Sequence, residues 1–144
     1  MPGVRQLSLM YQDDNPTCKA TYASLCMHRD ELDPDDVTSR LGIVPSKAHR
    51  KGDEYRYGYV VPTGGWFLSS QEQVESKDVC RHVVWMLDRL AGKEAELLRL
   101  QDEGHEMYVS CYWLSASGHG GPELSHEVMQ RLVSLRLDIA FDVY

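Results

Sequence analysis

The chain has 144 residues, with 22 acidic against 15 basic side chains, a formal charge of −7, 42% hydrophobic and 26% charged residues. These proportions exclude a collagenous, coiled-coil or disordered chain. The acid excess opposes generic binding to nucleic acid or anionic membrane, since both require positive potential.

Residues 1–16, ending in DDNP, read as a loosely ordered tail, and residues 17–144 as one domain. The start lacks the charged and long apolar regions of a secretory leader. No apolar run approaches the roughly 18–20 residues of a membrane span, so the cytoplasm is the expected compartment. Residues 17–28, TCKATYASLCMH, are rich in β-branched and aromatic residues and predict a strand. ELDPDDVTSRLGIVP then carries a helix signature, with Asp33 at the N-cap, Pro34 at the first position, Asp36 as the far arm of a capping box, and Gly42 and Pro45 at the close. Residues 46–65 predict a loop around a short strand at 55–61, and GGWFLSSQ the next strand, with Trp66 and Leu68 on one side.

A long helix is expected from about Lys77 to Ala91 with Ser76 as cap, broken at Gly92 before KEAELLRLQDEG. Val79, Val83, Met86, Leu87 and Leu90 form its apolar stripe, which leaves Trp85 on the polar side, in need of cover from Leu97, Leu98 or Leu100 or from a partner. HEMYVSCYWLSAS is a strand and GHGGPE a loop. Ser125 caps a helix whose stripe is Val128, Met129, Leu132 and Val133. The closing RLDIAFDVY alternates, with Leu137, Ile139, Phe141 and Val143 on one face. Trp66, Leu87, Leu90, Trp113, Leu132, Ile139 and Phe141 are therefore the expected core.

YASLCMH before ELDPDDVTSRL parallels YVSCYWL before ELSHEVMQRLV, a repeat short enough to fit duplication or chance. The expected fold is a single-domain α+β sandwich, a mixed or antiparallel sheet with helices on one face, close to the ferredoxin-like plan with a βαβ duplication. If Ala23, Leu25, Met27, Val109, Cys111 and Trp113 face the helices, the opposite face carries Tyr22, Ser24, Cys26, His28, Tyr108, Ser110 and Tyr112, with Asp138 and Asp142. Such a tyrosine-rich, amphipathic face suits protein contact. A one-sided sheet wet on its outer face is the plainer alternative.

Catalytic signatures are weak. Ser69 or Ser115, His82 and Asp142 make a triad on paper, without a G-x-S-x-G elbow. Cys18, Cys26, Cys80 and Cys111 show no C-x-x-C pair, and Cys111 falls on the core face, where a thiol is inert. The six histidines at 28, 49, 82, 105, 119 and 126 form no H-x-x-x-H or H-E-x-x-H, so neither metal nor cofactor is expected. The loop with Gly118, His119, Gly120 and Gly121 before the Ser125 cap is the best anion-site candidate, yet it lacks a P-loop lysine. Lys47, His49, Arg50, Lys51 and Arg56 interleave with Tyr55, Tyr57 and Tyr59, a stacking pattern that the acidic remainder of the chain opposes as a nucleic-acid platform.

The runs ELDPDDVTSRLGIVPSKAHRKGD, GGWFLSS, SKDVCRHVVWMLDRL, SCYWLSASGHGGPELS and LRLDIAFDVY resemble, in this order, the domain-of-unknown-function family 4279, a group of short, mostly bacterial proteins. The resemblance spans about Thr17 to the end of the chain. It implies a single-domain α+β fold and transfers no site. The expected function is a non-enzymatic interaction module that meets a protein partner or a second copy through its open sheet face, for example an immunity-type inhibitor of a basic toxin. The alternative is a small ligand-binding domain or enzyme using the loop at 115–125 and nearby histidines.

Overall fold

The fold is organised by β1 (Cys18–Arg29), the central strand of five in a computed structural model that describes residues 11–144. The others are β2 (Lys47–His49), β3 (Gly64–Ser69), β4 (Glu106–Ser115) and β5 (Asp138–Val143), in the order β2-β3-β1-β4-β5. All neighbours are antiparallel except β4 and β5, which run parallel. Four helices among the described residues complete the single domain: α1 (Pro34–Leu41), α2 (Val79–Arg89), α3 (Glu94–Asp102) and α4 (His126–Ser134). The architecture is α+β with a mixed sheet. Both halves run strand, helix, strand, yet β3 returns antiparallel to β1 whereas β5 runs parallel to β4.

The inner sheet face is the core. Ala23, Leu25, Met27, Trp66, Val109, Cys111 and Trp113 are at most 1% exposed and join one cluster with Val83, Met86, Leu87 and Leu90 of α2 and its end. The pleat explains this, because residues two apart on β1 and β4 share a face. Thr21, the one polar member of the β1 inner row, donates its hydroxyl to the Tyr112 carbonyl at 2.6 Å. Trp66 donates its indole N–H to Thr38 Oγ1 at 3.1 Å, which locks α1 onto the sheet. Arg40 ties α1 to α3 through Glu96 at 2.6 Å and Glu103 at 2.5 Å.

The first helix starts where its sequence says. Asp33 accepts from the N–H groups of Asp35 and Asp36, and Gly42 closes the helix in the left-handed region at φ 67°. The Asp36 carboxylate meets Arg40 at 3.4 Å instead of closing a capping box. α2 is capped by Asp78, not Ser76: the Asp78 carboxylate accepts from Cys80 N–H at 2.9 Å, while the Ser76 hydroxyl donates to Asp13 at 2.6 Å. The expected strand at 55–61 is also corrected. The strand is Lys47–His49, and residues 54–60 form a turn closed by a Glu54–Val60 bridge around a 3₁₀ segment at Arg56–Gly58.

Of the expected loose tail, residues 1–10 lie outside the described residues. Residues 11–16 are fastened: Gln12 N–H donates to Asp78 at 2.8 Å and Arg81 pairs with Asp13 at 2.7 Å. Two apolar stripes are only half buried. Val128 and Leu132 are interior, but Met129 is 46% and Val133 75% exposed. Leu137 is buried and Ile139 half-buried, whereas Phe141 is 39% and Val143 52% exposed. β5 is the sheet margin, and α4 turns its buried side toward α2, where Arg131 pairs with Asp88 at 3.0 Å. Among the described residues, the inner face of β5 beyond Ile139 is left without a full cover.

Truncation of one large aromatic at the centre of this face and one at its edge separates core from margin. Trp113→Ala is expected to cost about 3–5 kcal/mol in a denaturant titration, and Phe141→Ala less than about 1.5 kcal/mol. Equal losses would contradict the uncovered β5 margin.

Candidate functional site

The outer sheet face is the inner face's complement, and strand register fixes its rows. One row reads Lys47, Phe67, Cys26, Tyr108 and Asp138 across all five strands. Beside it runs His49, Gly65, His28 and Glu106, and on the other side Ser69, Ser24, Ser110 and Ala140. Beyond the serines come Tyr22, Tyr112 and Asp142. The structure thus brings Tyr22, His28, Tyr108 and Tyr112 onto one surface.

That surface is aromatic without being dry. Tyr22 and Tyr112 stack at 5.1 Å between centroids, and Tyr144 joins Tyr112 at 5.6 Å. His28 stacks on Tyr108 at 6.0 Å and meets the edge of Phe67 at 5.2 Å. The rings of Tyr22, His28, Tyr108 and Tyr112 are half-buried, and among the described residues their cross-strand neighbours hold them. Cys26 lies sunk between Phe67 and Tyr108 at 7% exposure, and burial pushes its thiol above the ordinary range.

Sequence reasoning missed the β2 end of this face. His49 leans over Gly65: a Cβ at Gly65 would lie 2.7 Å from the imidazole Cε1 and Nε2, so only glycine leaves room for the ring. The His49 Nδ1 is buried without a hydrogen-bond partner. Lys47 places its Nζ 4.8 Å above the Tyr55 ring and 6.0 Å from Phe67. Burial, reinforced by the neighbouring His49, holds His28 below the ordinary histidine value, with Glu106 opposing. The signal for this corner was the interleaved basic and aromatic run at 47–59, but only the β2–β3 pairing shows which members reach the sheet face.

The remaining candidates lie elsewhere. Trp85 is on α2, half-buried, with the Arg89 guanidinium 3.7 Å over its ring. Gly118, His119, Gly120 and Gly121 bridge β4 to α4, where Ser125 accepts from Val128 N–H at 3.2 Å. Gly120, Gly121 and Ser125 border a cavity of about 540 Å³ together with Tyr11, Asp78, Cys80 and Glu123. Asp78 and Glu123 give that cavity carboxylates, which oppose an anion at the helix start.

The paper triad does not assemble around His82. Its Nδ1 takes the Ser70 hydroxyl at 2.7 Å and its Nε2–H donates to the Ser76 carbonyl at 2.8 Å, while Ser70 Oγ accepts from Ala23 N–H at 2.9 Å. Ser70 is 0% and His82 1% exposed, so this pair fastens β1 to the start of α2 from inside the core. Burial pushes the Cys111 thiol up to about 12, which makes it inert. Among the described residues no group of three or more His, Cys, Asp or Glu is placed to hold a metal ion, and no helix is long and apolar enough to cross a membrane.

Comparison with known proteins gives one match. The family model described as a domain of unknown function (DUF4279) matches residues 18–144. No curated protein and no solved structure matches the chain.

The buried His82 gives stability a pH dependence. Burial holds its imidazole below the ordinary histidine value, so the unfolded chain takes up this proton first as pH falls. The stabilisation is complete above about pH 6.5 and is lost progressively below it. Thermal melts between about pH 7.5 and 5.5 are expected to fall with pH, and more steeply in the native protein than in His82→Gln. An identical slope in both would assign the effect to another group.

Proposed function

Because the chain belongs to the DUF4279 family, whose description names no activity, its own surface carries the functional reading, and we propose a non-enzymatic protein-interaction module whose contact surface is the outer sheet face. The carrying observation is the half-buried cross-strand stack of Tyr22 and Tyr112, joined by the exposed Tyr144, beside His28 and Tyr108. Rings already fixed by their neighbours lose little conformational freedom on contact, and their polar tips tolerate water in the free state. Lys47 at one margin and Asp138 and Asp142 at the other supply a polar rim. The chain's charge of −7 suits a basic partner, and an immunity-type inhibitor of a basic toxin is one such role.

Interfaces concentrate their energy in central aromatic anchors. Tyr108→Ala and Tyr112→Ala are each expected to weaken association by about 2 kcal/mol or more, measured by sedimentation or by affinity capture beside a thermal melt. Trp85→Ala, on the other side of the molecule, is expected to leave association intact. If association survives both tyrosine substitutions and responds to changes at Gly120 or Gly121, the surface is the loop at 115–125 and the ligand-binding reading replaces this one.

A further inference from the structure

Resting on the interaction-face reading, we infer that the occupant of the outer face is a second copy of this chain, packed sheet to sheet about a two-fold axis parallel to β1. The argument is the row Lys47, Phe67, Cys26, Tyr108, Asp138. It places a cation at one end, an anion at the other, an aromatic ring on each side of centre, and β1 in the middle. Lys47 and Asp138 stand four strand spacings apart, roughly 19 Å, too far to pair within one chain. Neither has an ion-pair partner among the described residues.

A two-fold axis along β1 exchanges the ends of every row. It sets Lys47 over the partner's Asp138 and Phe67 over the partner's Tyr108, and it brings Cys26 opposite its own copy on the axis. In the next row it sets Ser69 over the partner's Ser110, with Ser24 on the axis. Aligned sheets pack roughly 10 Å apart with their strands within about 30° of parallel. The long Lys47 side chain spans the offset that twist introduces at the margins. The other face-to-face arrangement, a two-fold axis across the strands, stacks β5 on β5 and brings Asp138 and Asp142 onto the same carboxylates of the partner. Charge therefore selects the axis parallel to β1. A face with a cation at one margin and carboxylates at the other complements itself.

The test is sedimentation equilibrium of the full 144-residue protein in reducing buffer. The native protein is expected to be a dimer. Lys47→Asp and Asp138→Lys, both at exposed positions, are each expected to raise the dimer dissociation constant at least about tenfold, with melts showing an intact fold. The double exchange Lys47→Asp with Asp138→Lys re-forms the pair with reversed polarity and is expected to recover to within about threefold of native. A monomer at concentrations of several hundred micromolar, single variants without effect, or a double variant no stronger than the singles would each overturn the inference. A monomer that nevertheless binds a heterologous protein through Tyr108 overturns the two-fold dimer and leaves the interaction face standing. A monomer that binds none overturns both.

Discussion

The alternation of β1 governs the rest of the structure. Its odd-numbered positions from Thr21 to Met27 point to the helices and its even-numbered positions from Tyr22 to His28 point away. Because β1 pairs with β3 on one side and β4 on the other, its register assigns every neighbouring side chain to a face. A slip of one residue would send Leu25 and Met27 outward and place His28 and Tyr22 in the core, so the register carries the whole burial energy of the sheet. The buried Ser70–His82 pair adds a polar lock at the same strand, since Ser70 binds the Ala23 N–H. A satisfied buried network of this kind penalises a shifted alternative more than it stabilises the native one.

The two sides of the sheet then take opposite chemistries. On the helix side, apolar stripes meet and the charges lie at the rim, where Arg40 gathers Asp36, Glu96 and Glu103. The carboxylates raise the Arg40 pKa, Glu103 foremost, so the guanidinium keeps its charge at any working pH. These pairs are partly exposed, and their value lies more in fixing how α1 meets α3 than in net stability. On the open side no helix among the described residues supplies apolar cover, and stacking between adjacent strands substitutes for it. Tyr22 on Tyr112 and His28 on Tyr108 shield one another while keeping their polar atoms wet. A surface organised in this way is stable alone yet offers large preformed rings to a partner, which links the folding problem to the proposed function.

The margins of the sheet differ for a physical reason. β2 is only three residues long and is followed by a tightly hydrogen-bonded turn, so its edge is short and flanked by charge. β5 is six residues long, ends the sheet, and carries Asp138 and Asp142 on the open side with Phe141 and Val143 on the other. Two aspartates on one face, four residues apart, oppose pairing of this edge with itself, since an antiparallel copy centred on Ala140 would align like charges. The same aspartates supply the acidic margin of the open face.

Much of this was legible in the sequence because it is local. The strands TCKATYASLCMH and HEMYVSCYWLSAS, the Asp33-Pro34 start and Gly42 stop of α1, the break at Gly92 and the Ser125 cap each depend on a few adjacent residues, and each is found in place to within a few residues. Composition and motif order were enough to place the chain in its family and in the α+β class. What failed was non-local. Ser76 is the cap that the sequence suggests, yet its oxygen accepts from Asp78 N–H at 3.0 Å, and Asp78, two residues on, accepts from Cys80 N–H where α2 begins. Phe141 sits in a faultless amphipathic strand, yet its burial depends on whether α4 reaches over the β5 margin, and α4 packs toward α2 instead. The corner of Lys47, His49, Gly65 and Phe67 arises only when β2 adds to β3 in one register. The sequence by itself determined which residues alternate and where helices begin and end, because those are set by backbone periodicity and capping within a few residues. Only the tertiary structure decided which strands are neighbours and which apolar faces stay uncovered, because both depend on contacts between segments tens of residues apart.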